Sequence, residues 1–253
     1  MQVVVNSLLT QYESRGPASG APLIVLLHGW GDSAAGLRQL QKALAADARV
    51  IAVDLPGFGG TEAPHEVWGL DEYAHFVADF LKKINAGPVA VLAGHSNGGA
   101  IALRGLGKGW LQADKLVLLA SAGIRGEYKG RVKALRYAAK AGKVLTMALP
   151  KSVQQKIRKK AYRTIGSDML VAEHLQETFK QVVTDDTRAD ADALTIPALL
   201  LYGEQDDATP VRYGEMYHEH INGSTLEVFP GAGHFVHLDR PKEVVAAIQE
   251  FMR

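Results

Sequence analysis

Residues 89–99 read VAVLAGHSNGG. An apolar run meets Gly94-His95-Ser96-Asn97-Gly98, the pattern G-x-S-x-G, and helical sequence resumes near Gly99. A serine between a buried strand and a helix sits on a sharp turn that lifts its hydroxyl off the end of a sheet. Gly94 and Gly98 are then required, because side chains there would meet the neighbouring strand and helix. The helix start adds N–H groups and a dipole that favour negative charge. Glycine and serine are common, so the pattern alone says little; its placement between strand and helix makes it specific.

Outward from this turn, short runs rich in Val, Leu and Ile recur at 22–27, 49–53, 88–93, 115–120, 196–202 and 225–229. Runs this short and this uniformly apolar predict strands buried on both faces of a parallel sheet. Segments with helical spacing lie between most of them: Leu37, Leu40, Ala43 and Leu44; then Tyr73, Phe76, Val77, Phe80, Leu81 and Ile84. A last stripe, Val244, Val245, Ile248 and Phe251, belongs to a helix opening at Pro241. This alternation argues for an α/β fold with a mostly parallel central sheet flanked by helices. The first fifteen residues read as a hairpin turning near Asn6-Ser7.

One stretch breaks the rhythm. Residues 124–192 hold no buried-strand run, only helical stripes such as Ala172, Leu175, Phe179 and Val182, or Val153, Ile157 and Ala161. The expected organisation is a core of residues 1–123 and 193–253 with an inserted all-helical cap at 124–192.

Composition sets outer limits. The 253 residues are 47% hydrophobic and 22% charged, enough for a buried core. The net charge of +1 points to neither a nucleic-acid binder nor an acidic tail protein. With no cysteine there is no disulfide, thiolate metal site or cysteine nucleophile. The start, MQVVVNSLLTQYESRG, lacks the pattern of a signal peptide. The apolar runs fall far short of the roughly 20 residues of a membrane span. A soluble, cytoplasmic protein is the expectation.

Other chemistry-bearing segments end strands. Residues 23–31, LIVLLHGWG, close on His28-Gly29-Trp30-Gly31. Acyl transfer creates an oxyanion that needs preorganised N–H donors. The expected donors are the backbone N–H groups of Asn97 and Trp30. His28 reads as a residue that ties down its loop by hydrogen bonds, and Gly29 as part of the same support. Asp54, in VDLPGFG, reads as turn chemistry. Residues 198–210, ALLLYGEQDDATP, bring two aspartates past a strand, and residues 230–241, PGAGHFVHLDRP, bring His234. Ser96, Asp206 and His234 follow the order serine, acid, histidine. The histidine would take the serine proton, and the carboxylate would fix its tautomer. Asp206 is preferred to Asp207, which reads as a solvated neighbour or helix cap. His237 reads as pocket wall or surface. The remaining histidines lack metal-ligand spacing, and neither metal nor organic cofactor is expected.

The segments LLHGWGD, VDLPGFGGT, AGHSNGG, LYGEQDDATP and GAGHFVHLDRP, in this order, resemble the α/β-hydrolase superfamily along nearly the whole chain. The resemblance implies that the acid lies three residues after a glycine and four before a proline. Asp206 holds that position relative to Gly203 and Pro210. It also implies a G-H-F segment, matched by Gly233-His234-Phe235, and an active-site cap, matched by the helical insertion. Members with dehalogenase or epoxide-hydrolase chemistry carry aspartate where Ser96 stands. The loop is similar to that of small carboxylesterases, and the core also looks like enol-lactonases and C–C bond hydrolases of ring-cleavage products. A serine carboxylesterase acting on a small-molecule ester is the leading expectation. The alternatives are a lactonase or C–C hydrolase, and a hydrolase-fold binding protein without turnover.

The insertion is also charged. Residues 124–163 hold thirteen Lys or Arg against one acid, Glu127, a net +12 that leaves −11 for the rest of the chain. This reads either as a solvated outer face or as a surface for an acidic partner or anionic surface.

Overall fold

The computed structural model describes residues 1–125 and 172–253. Eight strands form one sheet: β1 (Gln2–Val5), β2 (Leu8–Arg15), β3 (Leu23–Leu27), β4 (Arg49–Val53), β5 (Val91–His95), β6 (Lys115–Leu119), β7 (Ala198–Gly203) and β8 (Thr225–Phe229). Their spatial order is β1-β2-β4-β3-β5-β6-β7-β8. The β1–β2 hairpin is antiparallel, and β2 adds antiparallel to β4. All other pairings are parallel. The hairpin turns at Asn6 and Ser7, both at positive φ (49° and 67°), the conformation that a two-residue turn needs to match strand twist.

The described helices are α1 (Arg38–Leu44), α2 (Leu70–Lys83), α3 (Asn97–Gly107), α4 (Gln176–Val182), α5 (Arg188–Asp192), α6 (Val211–His220), α7 (Val236–Asp239) and α8 (Pro241–Met252). Alternation along each strand sends neighbouring side chains to opposite faces. Val25, Leu27, Ile51, Leu92 and Leu118 join the core beneath α2 and α3. Ile24, Leu26, Val50, Ala93 and Val117 join a second core with Leu40 and Leu44 of α1 and Val244 and Ile248 of α8. Covered on both faces, the central strands carry the apolar runs that the sequence shows.

Three expectations need correction. The strand before Ser96 runs through Gly94 and His95, which pair with Leu118 and Leu119 of β6; the helix after it opens at Asn97, not near Gly99. Ladder pairing, which leaves no mark in hydropathy, extends the strand. At β8 the apolar run is not buried on both faces, because this strand is the sheet edge and Val228 is exposed. Ala43 is exposed, so the buried stripe of α1 is narrower than its apolar spacing suggests.

Residues 172–192 hold no strand; they comprise a 3₁₀ turn, α4 and α5. Apart from Ile124 and Arg125, the basic stretch 124–163 and the Val153-Ile157-Ala161 stripe lie outside the described residues. One side chain ties the returning segment to the core at several points. Arg104 of α3 pairs with Asp71 of α2, with Asp185 (2.8 Å) and with Asp190 of α5 (2.7 Å). Thr187 adds a backbone bond to Gly123 O at 2.8 Å and a side-chain bond with Tyr217 Oη at 2.7 Å. No helix among the described residues is long and apolar enough to cross a membrane.

Asp190 is only 4% exposed, so removing its counter-ion strands a buried charge. Arg104→Met is expected to cost about 3–5 kcal/mol in urea unfolding; a loss under about 1 kcal/mol would mean the pairs behave as solvated surface contacts.

Candidate active site

Ser96 stands between β5 and α3 with φ 52° and ψ −116°, a backbone conformation that costs a non-glycine residue on the order of 1–3 kcal/mol. Its carbonyl accepts N–H bonds from Gly99 (3.0 Å), Ala100 (3.3 Å) and Ala122 (3.0 Å), and its own N–H reaches Leu119 O at 3.0 Å. The flanking glycines are there for space. A Cβ on Gly94 would lie 2.4 Å from the Gly98 carbonyl, and one on Gly98 would lie 2.4 Å from Leu27 O. The turn is thus wedged between its own helix and the end of β3.

The β3 loop packs against it. His28 is fully buried. The Leu55 N–H donates to its Nε2 at 2.8 Å, so the proton sits on Nδ1, which donates to Gly29 O at 2.7 Å. Burial lowers its pKa and keeps it neutral. The ring therefore joins its own loop to the segment just after β4, and Gly29 lies where a Cβ would press on His95 and Ser96. Asp54 accepts from Ala34 N–H (2.7 Å) and Gly60 N–H (2.8 Å), joining two loops as turn chemistry requires.

Asp206 and His234 meet. His234 Nδ1 donates to Asp206 Oδ2 at 2.8 Å, and the Asp206 side chain has no exposure to solvent. The other carboxylate oxygen accepts the backbone N–H groups of Ala208 (2.8 Å) and Thr209 (2.9 Å), and Thr209 Oγ1 lies 2.8 Å from Oδ2. Burial acts to raise the Asp206 pKa, but the hydrogen bonds from His234 and Thr209 outweigh it and hold the carboxyl below its ordinary range. Asp207 is exposed, and the N–H groups of Ala208 and Thr209 bond Asp206 instead.

Ser96, Asn97, Trp30 and His234 line one cavity of about 190 Å³, with Ala100, Ile124, Phe179, Val182, Asp185, Thr209 and Tyr213 among the remaining walls. It opens at the carboxyl ends of the strands, where ligands bind in sheets of this kind. A larger groove of about 790 Å³ lies at the opposite strand ends, between residues 85–89 and 110–114, away from Ser96. Among the described residues no hydrogen bond joins Ser96 Oγ to His234. Within the same set, neither the Trp30 nor the Asn97 backbone N–H donates a hydrogen bond. Trp30 Nε1 and both amide atoms of Asn97 are likewise buried without partners there.

Two residues escaped the sequence reading. His95 is buried, and its Nε2 donates to the His234 carbonyl at 3.0 Å, anchoring that loop. Burial holds its pKa well below the usual histidine value. Thr209 bridges Asp206, the Ala120 carbonyl (2.8 Å) and His234 Nδ1 (3.1 Å). Only the Asp-x-x-Thr spacing hinted at it. His237 is corrected: it is 1% exposed and belongs to neither pocket wall nor surface. Burial pushes its pKa down to about 4, and its ring packs edge-on against His95 at 4.8 Å.

Comparison with known proteins agrees with this architecture. A pimeloyl-[acyl-carrier protein] methyl ester esterase of Neisseria meningitidis is 27% identical, over 96% of this chain and 98% of that protein. A dihydrolipoyllysine-residue acetyltransferase component of the acetoin cleaving system of Pseudomonas putida is 32% identical, over 98% of this chain and 68% of that protein. Among solved structures, the enol-lactonase of Burkholderia xenovorans LB400 superposes with a TM-score of 0.78 at 19% identity, covering 100% and 99% of the two chains. The sequence profile of the alpha/beta hydrolase family matches residues 24–248, and the chain belongs to that family.

Proposed function

We propose that this protein is a serine hydrolase that cleaves carboxylic esters through an acyl-enzyme, with Ser96 as nucleophile, His234 as general base and Asp206 as the acid that orients it. The observation that carries the reading is the buried Asp206 carboxylate bonded to His234 Nδ1 beside the cavity that Ser96 lines. With Nδ1 donating to Asp206, Nε2 is left with a lone pair for the serine proton. The methyl ester esterase among the relatives, similar over the full length of both chains, supports ester over other acyl substrates.

The reaction follows from this placement. His234 Nε2 takes the proton as Ser96 Oγ attacks the ester carbonyl, and the oxyanion is held by the backbone N–H groups of Trp30 and Asn97, which are otherwise unspent among the described residues. The carbon–oxygen bond to the alcohol then breaks, and the alcohol leaves with the proton from His234. Water, deprotonated by the same imidazole, attacks the acyl-enzyme, and Ser96 recovers its proton as the acid is released.

Ser96→Ala is expected to lower kcat by several orders of magnitude and to abolish labelling by a fluorophosphonate probe; near-normal turnover would remove the mechanism. A panel of esters and lactones compared on the wild-type protein separates esterase from lactonase, and turnover of neither with no labelling would point to a binding protein. Asp206→Asn is expected to cost about 10⁴-fold in kcat through loss of the correct tautomer. The depressed Asp206 pKa also sets a stability window. Its contribution is complete above the unfolded value of about 3.9 and disappears as pH falls through the folded value. Melting temperatures of the wild type and Asp206→Asn should therefore differ by a constant amount above about pH 5 and converge only as pH falls below about 4, the unfolded value; a gap that stays constant on further acidification would refute the assignment.

A further inference from the structure

Among the described residues, the cavity wall carries one fixed charge that the chemistry above does not use. Asp185 lines the cavity alongside Ser96 and His234, and its side chain keeps 28% of its exposure. No Lys or Arg stands among the cavity's described lining residues. The counter-ion of Asp185 is Arg104, 2.8 Å from Oδ1, but that guanidinium is shared with Asp71 and Asp190. Among the described residues one positive charge thus faces three carboxylates, and the surplus there is negative on the side of the cavity.

We propose that Asp185 is a specificity determinant that biases the cavity toward neutral acyl groups and against acyl chains that end in a carboxylate. The inference rests on the esterase reading and names its substrate class. A carboxylate brought into the cavity would lose water and meet a like charge, and both effects oppose binding. A neutral chain meets Ile124, Phe179 and Val182 on the same walls and carries no such cost.

The test uses two esters of matched acyl length, ethyl pentanoate and ethyl hydrogen glutarate, in which the terminal methyl is replaced by a carboxylate. The quantity read is the ratio of kcat/KM for the charged ester to that for the neutral one. Asp185→Asn keeps the Oδ1 acceptor for Arg104 and removes the charge; it is expected to raise the ratio about tenfold, equivalent to about 1.4 kcal/mol. Asp185→Glu, which keeps the charge, should stay near the wild-type ratio. A folding defect scales both rates alike, so the ratio remains readable from a partly folded variant. An unchanged or lower ratio in Asp185→Asn overturns the inference, as does an equal rise in Asp185→Glu. If ethyl pentanoate is hydrolysed in a Ser96-dependent way while the ratio fails to move, only the role of Asp185 falls. If neither ester is hydrolysed and Ser96 takes no fluorophosphonate label, the esterase reading falls and takes this inference with it.

Discussion

The structure depends on a backbone held where a serine does not rest of its own accord. At φ 52° Ser96 occupies a conformation that L-residues avoid, and three N–H groups closing on its carbonyl keep it there. The close approach of Gly98 to the end of β3 and of Gly94 to the helix start leaves no room for the turn to relax. Because the strain is absorbed by packing, Ser96 lies at the carboxyl end of a central strand without a flexible loop beneath it. The start of α3, the β3 loop and one wall of the cavity all take their position from this wedge.

Around the wedge, buried polar groups divide into two electrostatic kinds. His28, His95 and His237 are driven toward the neutral form by burial. For His28 and His95 a neutral ring can donate from one nitrogen to a neighbouring carbonyl and so fix a loop. Asp206 is equally buried yet kept ionised, because four donors converge on its two oxygens. Burial alone would neutralise all four groups; the hydrogen-bond supply decides which one retains charge. A charged carboxylate behind a histidine is the arrangement that an acyl-transfer relay needs, and neutral braces add no competing field.

Much of this was legible along the chain. Apolar runs five to seven residues long mark strands covered on both faces, the edge strand β8 excepted, and the glycine spacing around Ser96 marks a turn too tight for side chains. The order of Ser96, Asp206 and His234 was readable because each follows a strand and strands of a parallel sheet end on one side. His95 and Thr209 were not, since their work is to bond a carbonyl or a carboxylate distant in sequence. The choice between Asp206 and Asp207 rested on the family resemblance; in the structure the first of the two turns inward to accept its own loop's N–H groups and the second is exposed. His237 looked peripheral because it lies three positions beyond His234, yet one helical turn is enough to bury it.

By itself, then, the amino-acid order determined the class of fold, the elbow at Ser96 and the separate strand ends that carry Asp206 and His234, because hydropathy period and glycine placement are local properties. Only the tertiary structure decided which carboxylates face one another across Arg104, which side chain of the returning segment borders the cavity, and which backbone N–H groups remain unspent. Those depend on contacts between segments up to about a hundred residues apart, such as the 86 residues separating Arg104 and Asp190, and on burial that no local pattern encodes.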